Sequence, residues 1–376
     1  MDRRSALKAL AVAAGTAALE ACSGKHISSA IPVAPSPALL KLPRVNVQPD
    51  REIRTITGLR PFRPSGFLIA GQKFDETLVV HNYGHGGAGV TLSWGTSELA
   101  CRLVDATDTR EIAVLGCGAV GLSTARLLQD RGRAVTIYAS QLPPNTTSNV
   151  AGAMWSPVLV SHHDHEPPGF MDQLVEASRI ANHRYQLMVG PRYGIRWLPA
   201  YQMSNDPFGN GGLRSPGSPI YDLFPESHEL DARENPFPYK FVRQFDTMLI
   251  EPNSYLPALM RDFQIAGGHI EIREIHNVAE LQSLPQRVIV NCTGLGSRTL
   301  FGDTELIPVK GQLTFLLPQP EVQYCTIPDN DLYMFPRTDG ILLGGTHEEG
   351  VWSLEPDLQM KQHILAEHAR IFREMR

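Results

Sequence analysis

The chain has 376 residues, 42% hydrophobic and 19% charged, the composition of a globular protein of one to three domains. Its net charge of -5 is mild and unclustered, so neither nucleic acid nor an anionic membrane surface is an implied partner. No apolar run reaches the ~18 residues of a spanning helix. Residues 1–22 read as a targeting segment: Arg3-Arg4, a weakly apolar run from Ala9 to Leu19, then Leu19-Glu20-Ala21-Cys22. Paired arginines before such a run resemble a twin-arginine export signal, and Leu-x-Ala-Cys resembles a lipoprotein cleavage site with Cys22 lipidated, although Glu20 is an unusual occupant. Residues 23–44 are rich in Pro, Ser and Ala and read as a tether with no packed structure. The five cysteines form no C-x-x-C pair and no disulfide spacing.

Past the tether, Gly58-Leu59-Arg60-Pro61-Phe62-Arg63-Pro64 is a stiff, extended segment, because two close prolines fix the backbone directions of Arg60 and Arg63. An arginine held that way suits a bidentate grip on a carboxylate. A short strand at 77–81 leads into Asn82-Tyr83-Gly84-His85-Gly86-Gly87-Ala88-Gly89, where four glycines in six residues let the backbone pass close to something flat or bulky. A helix is expected over 90–104, its start aimed at whatever the glycines touch.

Ile112 to Leu115 form an apolar strand that runs into Gly116-Cys117-Gly118-Ala119-Val120-Gly121, with helix-forming residues immediately after. Strand, glycine turn and helix together make G-x-G-x-x-G a dinucleotide site. Gly116 permits the turn, Gly118 admits a pyrophosphate to the backbone, and Gly121 lets the helix pack on the strand. The helix start then holds the phosphates. Strands are expected at 134–139, 269–275 and 288–292, and helices at 170–188, 255–266 and 358–374. His162-His163-Asp164-His165 precedes Glu166-Pro167-Pro168 and reads as a loop without a partner ligand, so no metal is expected. Glycines around His81 and His85 exclude a zinc-binding helix.

Gly58–Pro64 and His81–Gly95 together closely resemble the flavin-dependent D-amino-acid oxidases, which include D-aspartate oxidase. Thr146–Pro157, Val288–Gly294, Leu332–Arg337 and Ile341–Thr346 extend the resemblance over roughly residues 50 to 376. In that family the two arginine- and glycine-rich elements close the chain, whereas here they precede the dinucleotide motif. A circular permutant accounts for this order, with Asp105–Arg110 joining the old ends; surface connectors tolerate such cuts. The implied fold is α/β: a Rossmann-like FAD-binding βαβ domain (about 45–160 and 286–300) and a substrate domain with a mostly antiparallel sheet and helices (about 161–285 and 301–360).

The resemblance implies FAD, with Gly116, Cys117, Gly118, Ala119, Val120 and Gly121 at its pyrophosphate. Thr146, Thr147, Gly152, Ala153 and Met154 would line its middle and ring, Ile275 and Thr293 its adenosine side and linking chain, and Gly86, Gly87, Gly89, Val90 and Thr91 the pyrimidine edge. Arg60 would bind the substrate α-carboxylate, Tyr333 would add a hydroxyl to it, and the Gly87 carbonyl would accept from the amine. The implied reaction is oxidative deamination of a D-amino acid to a 2-oxo acid, ammonia and hydrogen peroxide, with hydride passing from Cα to flavin N5 and oxygen as acceptor.

Two departures stand out. The second strand should end in an acid for the ribose hydroxyls, but Ser140 and Gln141 follow it. Asp329 occupies the position, four residues before Tyr333, where relatives with two active-site tyrosines carry the other one; an acid there favours basic substrates. Tyr324 is a candidate second hydroxyl if the loop folds back, and Ser156 stands where relatives often carry a polar group near substrate. The alternatives are a same-fold amine or glycine oxidase, a dehydrogenase with another acceptor, or a flavin-free binding lipoprotein. The expected partners are a small D-amino acid and oxygen, with a lipid anchor at Cys22 and a homodimer as further expectations. The expected location is the periplasm or the outer side of a bacterial inner membrane, or the cytoplasm if residues 1–22 are no signal.

Overall fold

The computed structural model describes residues 38–209, 211–329 and 331–376; the signal read at 1–22 lies outside them. The strands are β1 (Glu52–Phe62), β2 (Leu68–Phe74), β3 (Thr77–Tyr83), β4 (Glu111–Leu115), β5 (Ala134–Ala139), β6 (Ile195–Ser204), β7 (His228–Glu229) and β8 (Phe241–Ile250). They continue with β9 (His269–Ile272), β10 (Val288–Asn291), β11 (Ile307–Leu316), β12 (Cys325–Pro328), β13 (Tyr333–Arg337), β14 (Gly340–Gly344) and β15 (Glu348–Glu349). Among the described residues the α-helices are α1 (Gly89–Asp105), α2 (Ala119–Asp130), α3 (Phe170–Gln186), α4 (Pro252–Ile265), α5 (Val278–Gln282), α6 (Gly296–Phe301) and α7 (Leu358–Arg373).

These strands form two sheets. The first has the order β2-β3-β10-β4-β5-β9. β10 runs parallel to both β3 and β4, pairing Val288 with Leu78 on one side and with Ile112 on the other. Its central strands are short runs of Val, Ile, Leu and Ala, buried on both faces, as a covered parallel sheet requires. α1 and α2 lie against its strands, and α3 packs on α1. A Cβ on Gly95 would lie 1.9 Å from the Ala177 carbonyl oxygen, so only glycine lets α1 and α3 meet backbone to backbone.

The second sheet is mostly antiparallel, in the order β1-β11-β14-β13-β12-β6-β8-β7, with β15 on β11. β6 and β12 are its parallel neighbours. α7 lies against β11 and β14, its start capped by Asp357, whose carboxylate accepts from the Gln359 and Met360 N–H groups.

The boundaries differ from the sequence expectation in three ways. β1, expected with the FAD-binding part, is the edge strand of the substrate sheet, because the Arg60 segment pairs with β11 over its whole length. β9, expected with the substrate domain, adds to the parallel sheet beside β5. The end of the tether is packed rather than free: Leu40 N–H donates to Glu234 O at 3.0 Å, and Val45 is buried with Ile371, Phe372 and Met375 of the C-terminal segment. An apolar cluster therefore outweighs the prolines there.

Candidate active site

One elongated cavity of about 780 Å³ runs between the two sheets. At one end sits the glycine turn. Gly116 has φ +100°, and a Cβ on it would lie 2.6 Å from the Cys292 carbonyl oxygen. A Cβ on Gly121 would lie 2.0 Å from the Gly116 oxygen. Neither position admits a side chain, and Gly121 is consumed in packing rather than lining the cavity. Gly118, the N-cap of α2, has no side-chain cap, so this helix start is open toward the cavity. Ser148, not singled out in the sequence, accepts from Ala119 N–H at 3.0 Å and lines the same wall.

Ser140, Gln141 and Ile275 line the cavity beyond β5, together with Arg273 and Glu274. Thr146, Thr147, Gly152, Ala153 and Met154 line its middle. The hydroxyls of Thr146 and Thr293 are already spent locally, donating to the Asn149 and Asn291 side chains at 2.7 and 2.8 Å. Residues 151–155 are held by the substrate sheet: Ile250 N–H donates to Ala153 O at 2.9 Å, Trp155 N–H to Met248 O at 2.7 Å, and Arg337 to Ala151 O at 3.1 Å. Gly86, Gly87, Gly89, Val90 and Thr91 bring in the start of α1, which also lacks a side-chain cap. The Thr91 hydroxyl donates to Ser156 O at 3.3 Å, and Gly87 N–H donates to Leu159 O at 2.9 Å.

Two glycines seat the substrate-side residues. The Arg60 guanidinium lies flat over Gly311 of β11, where a Cβ would approach Nη2 to 2.4 Å. Tyr333 lies over its cross-strand partner Gly344, where a Cβ would meet the ring at 2.1 Å. Since Leu313, two residues beyond Gly311, pairs with Gly344, the two side chains, from β1 and β13, reach inward over the neighbouring strands β11 and β14. Arg60 donates to Thr346 O at 3.1 Å and has no carboxylate partner among the described residues. Arg63 is the opposite case, locked by Asp303 at 3.0 Å and Glu305 at 2.7 Å. Of these two, Arg60 is the one left for a ligand.

A family model described as FAD dependent oxidoreductase matches residues 111–376. The chain belongs to this family. A D-amino-acid oxidase of Streptomyces coelicolor is 32% identical over 68% of this chain and 75% of its own length. Human D-aspartate oxidase is 30% identical over 69% and 75%, and a D-amino-acid oxidase of Dictyostelium discoideum 29% over 69% and 72%. Among solved structures, glycine oxidase from Geobacillus kaustophilus superimposes with a TM-score of 0.51 at 15% identity, covering 71% of this chain and 80% of its own. That likeness concerns the fold.

This FAD-dependent oxidoreductase has the cradle its cofactor needs: a turn with no room for a Cβ at Gly116 or Gly121, a helix start on the cavity wall and a long cavity beyond both. Burial pushes its cavity-lining thiols, Cys117 and Cys292, up to about 12. Two expectations are corrected. Asp329 does not line the cavity; its carboxylate accepts from Asn205 N–H at 3.1 Å, and Asp331 lines the wall instead. β12 ends at Pro328, so counting back four residues from Tyr333 crosses a turn rather than following a strand. Tyr324 is buried in the second core and donates to Pro43 O at 2.7 Å, far from a substrate role. The His162–His165 segment is a short turn, and among the described residues no cluster could hold a metal. Three wall residues carried no sequence signal of their own: Gln202 on β6, Arg214 in the loop after it, and His347 beyond β14. Burial and the Arg60 charge together lower His347.

Proposed function

We propose that this oxidoreductase catalyses oxidative deamination of D-amino acids to 2-oxo acids, ammonia and hydrogen peroxide. The observation that carries this reading is the convergence of an unpaired arginine and a tyrosine over Gly311 and Gly344, in the cavity that also holds the glycine turn. Arg60 binds the α-carboxylate through a charge-assisted fork, and Tyr333 donates its hydroxyl to the same group. The Gly87 carbonyl accepts from the amine and fixes which hydrogen of Cα faces inward. Ser156 adds a polar group near the substrate, and the start of α1 at Thr91 stabilises negative charge on the pyrimidine side. FAD, when bound along this cavity, would supply the two-electron acceptor for the substrate's Cα–H. The residues themselves do positioning and electrostatics rather than acid–base chemistry.

The deciding experiment is an absorbance spectrum of the purified protein with a panel of D-amino acids under nitrogen, followed by air. Bleaching by D- but not L-forms, reversed by air with peroxide, is expected; a yellow protein that no D-amino acid bleaches rejects the substrate class.

We also propose that the chain is a circular permutant, exported by its paired arginines and anchored at Cys22. In support, the Arg60 and glycine-loop elements lie before the matched stretch, and each is built into a sheet with strands from within it. A Cys22→Ser variant is expected to leave the membrane fraction; an unchanged distribution rejects the anchor.

A further inference from the structure

The oxidation proposed above proceeds by positioning alone once the substrate amine is neutral. A free amino acid arrives at neutral pH as an ammonium, whose nitrogen has no lone pair to help the Cα–H bond open. One proton has to leave first, and a base beside the amine is worth roughly 10²–10⁴-fold for such a transfer.

His347 stands at that place. It follows Thr346, whose carbonyl accepts from Arg60 Nη1 at 3.1 Å, while the Thr346 hydroxyl accepts from Gln312 N–H at 2.6 Å. The backbone that carries the imidazole is thus tied both to the carboxylate-binding guanidinium and to β11. His347 lines the main cavity, and with Arg60 and Gly87 it also lines a side cavity of about 50 Å³. A space of that size holds only a few waters, so the three groups surround one point. The ring makes no hydrogen bond among the described residues: its Nδ1 stands 3.9 Å from Asp331 Oδ2, beyond bonding reach.

The surrounding charges suit a base that waits for its substrate. They are Arg60 on β1, Asp331 before β13, and His162 and Glu349, which line the side cavity and pair at 3.0 Å. Burial and the Arg60 charge hold the imidazole below its ordinary value, with Asp331 opposing them, so the ring is neutral at pH 7. A carboxylate on Arg60 cancels the charge that weakens the ring, and its basicity therefore rises as the ammonium arrives. His85, the other histidine on the main cavity wall, is no competitor. It is buried, held at about 3 and bonded to Thr96 Oγ1 at 2.9 Å.

Resting on the oxidase reading above, we propose that His347 is the base that takes the α-ammonium proton of the bound substrate. One N–H bond breaks on the substrate and one forms on an imidazole nitrogen. The electron pair left on the amine becomes the second bond of the imine as the Cα hydrogen departs with its own pair. The imidazolium then releases its proton to solvent beside Asp331, whose side chain is 76% exposed against 21% for His347.

The test is the pH profile of the second-order rate constant for flavin reduction under nitrogen. It uses the holoenzyme and its His347→Gln variant, with D-alanine and the less basic D-asparagine, or another pair of bleaching D-amino acids that differ in amine basicity. With the base in place the proton stays inside the complex. The native profile is therefore expected to be flat above an acid limb that lies below about 6.5 and is the same for both substrates. His347→Gln is expected to lose roughly 10²-fold at pH 7, and to regain its rate as pH rises until each substrate's own amine is neutral, with FAD content unchanged. A native limb that moves with the substrate amine overturns the proposal, and so does a His347→Gln profile that matches the native one; both leave the oxidase reading intact. The native comparison decides even if His347→Gln does not fold. If no D-amino acid bleaches the flavin, the oxidase reading fails and the base assignment falls with it.

Discussion

Arg60 and Arg63 stand three residues apart on one stiff segment, and their different partners separate their roles. Arg63 is neutralised by two carboxylates, so its loss would cost stability. Arg60 bonds one carbonyl and keeps the rest of its fork free. Arg60→Met is expected to lower kcat/KM roughly 10²–10³-fold while FAD content is unchanged, the scale for truncating one partner of an enclosed charge pair. Tyr333→Phe should cost roughly tenfold, as one hydrogen bond to a charged group does. Gly311→Ala makes a sharper case: its Cβ would meet Arg60 Nη2 at 2.4 Å, so the guanidinium must leave its seat. Displacement of a positioning group by about 1 Å costs roughly 10²-fold, and steady-state kinetics on a flavin-replete Gly311→Ala sample would show it. An unchanged kcat/KM would mean that Arg60 does not act from this seat.

At the level of elements, the glycine turn was legible because its requirements are local: strand, three glycines and helix follow one another in sequence. The seats at Gly311 and Gly344 were not, because they exist only through the register of β1 with β11 and of β14 with β13. Arg214 lies in a loop of Gly, Pro and Ser with no periodicity, so only the packing of Phe224 and Phe245 reveals it. Asp329 was misplaced because the turn after β12 breaks the spacing on which the expectation relied. The end of β5 is the element most open to redesign. Ser140 is exposed there at the cavity edge, and Ser140→Glu is expected to tighten FAD binding up to about tenfold through one charge-assisted bond. Flavin fluorescence titration of the apoprotein measures it, and unchanged affinity would mean the ribose end is held by other groups such as Glu274.

Across the whole molecule, burial shapes the response to acid. It lowers His81 and His368 to about 4 and His85 to about 3. Each is neutral in the fold, yet takes a proton near pH 6.5 once unfolded. The unfolded chain therefore binds more protons as pH falls from about 6.5 toward 4, and stability present above that window is lost within it. Each histidine contributes a slope of up to about 1.4 kcal/mol per pH unit. The melting temperature should fall steadily from pH 7 to 5; a flat profile would contradict the three buried neutral rings. Chain order belongs to this scale too. The packing of residues 40–45 against the C-terminal segment brings the point of entry and the chain end into one core. A rearranged gene running from Glu111 through Arg376 into Val45 and on to Asp105 is expected to fold and bind FAD. Failure to recover soluble, flavin-binding protein would count against the permutation.

The sulfurs on the cavity wall bear on how long such a catalyst lasts. Peroxide attacks thiolates, not thiols, and a thiol held near 12 is almost wholly protonated at neutral pH. Cys117 and Cys292 line the same cavity, and burial keeps both thiols protonated there. Turnover in the absence of catalase should leave both unmodified by mass spectrometry over many cycles. Chemical self-protection would then come from the same dry packing that shapes the cofactor site.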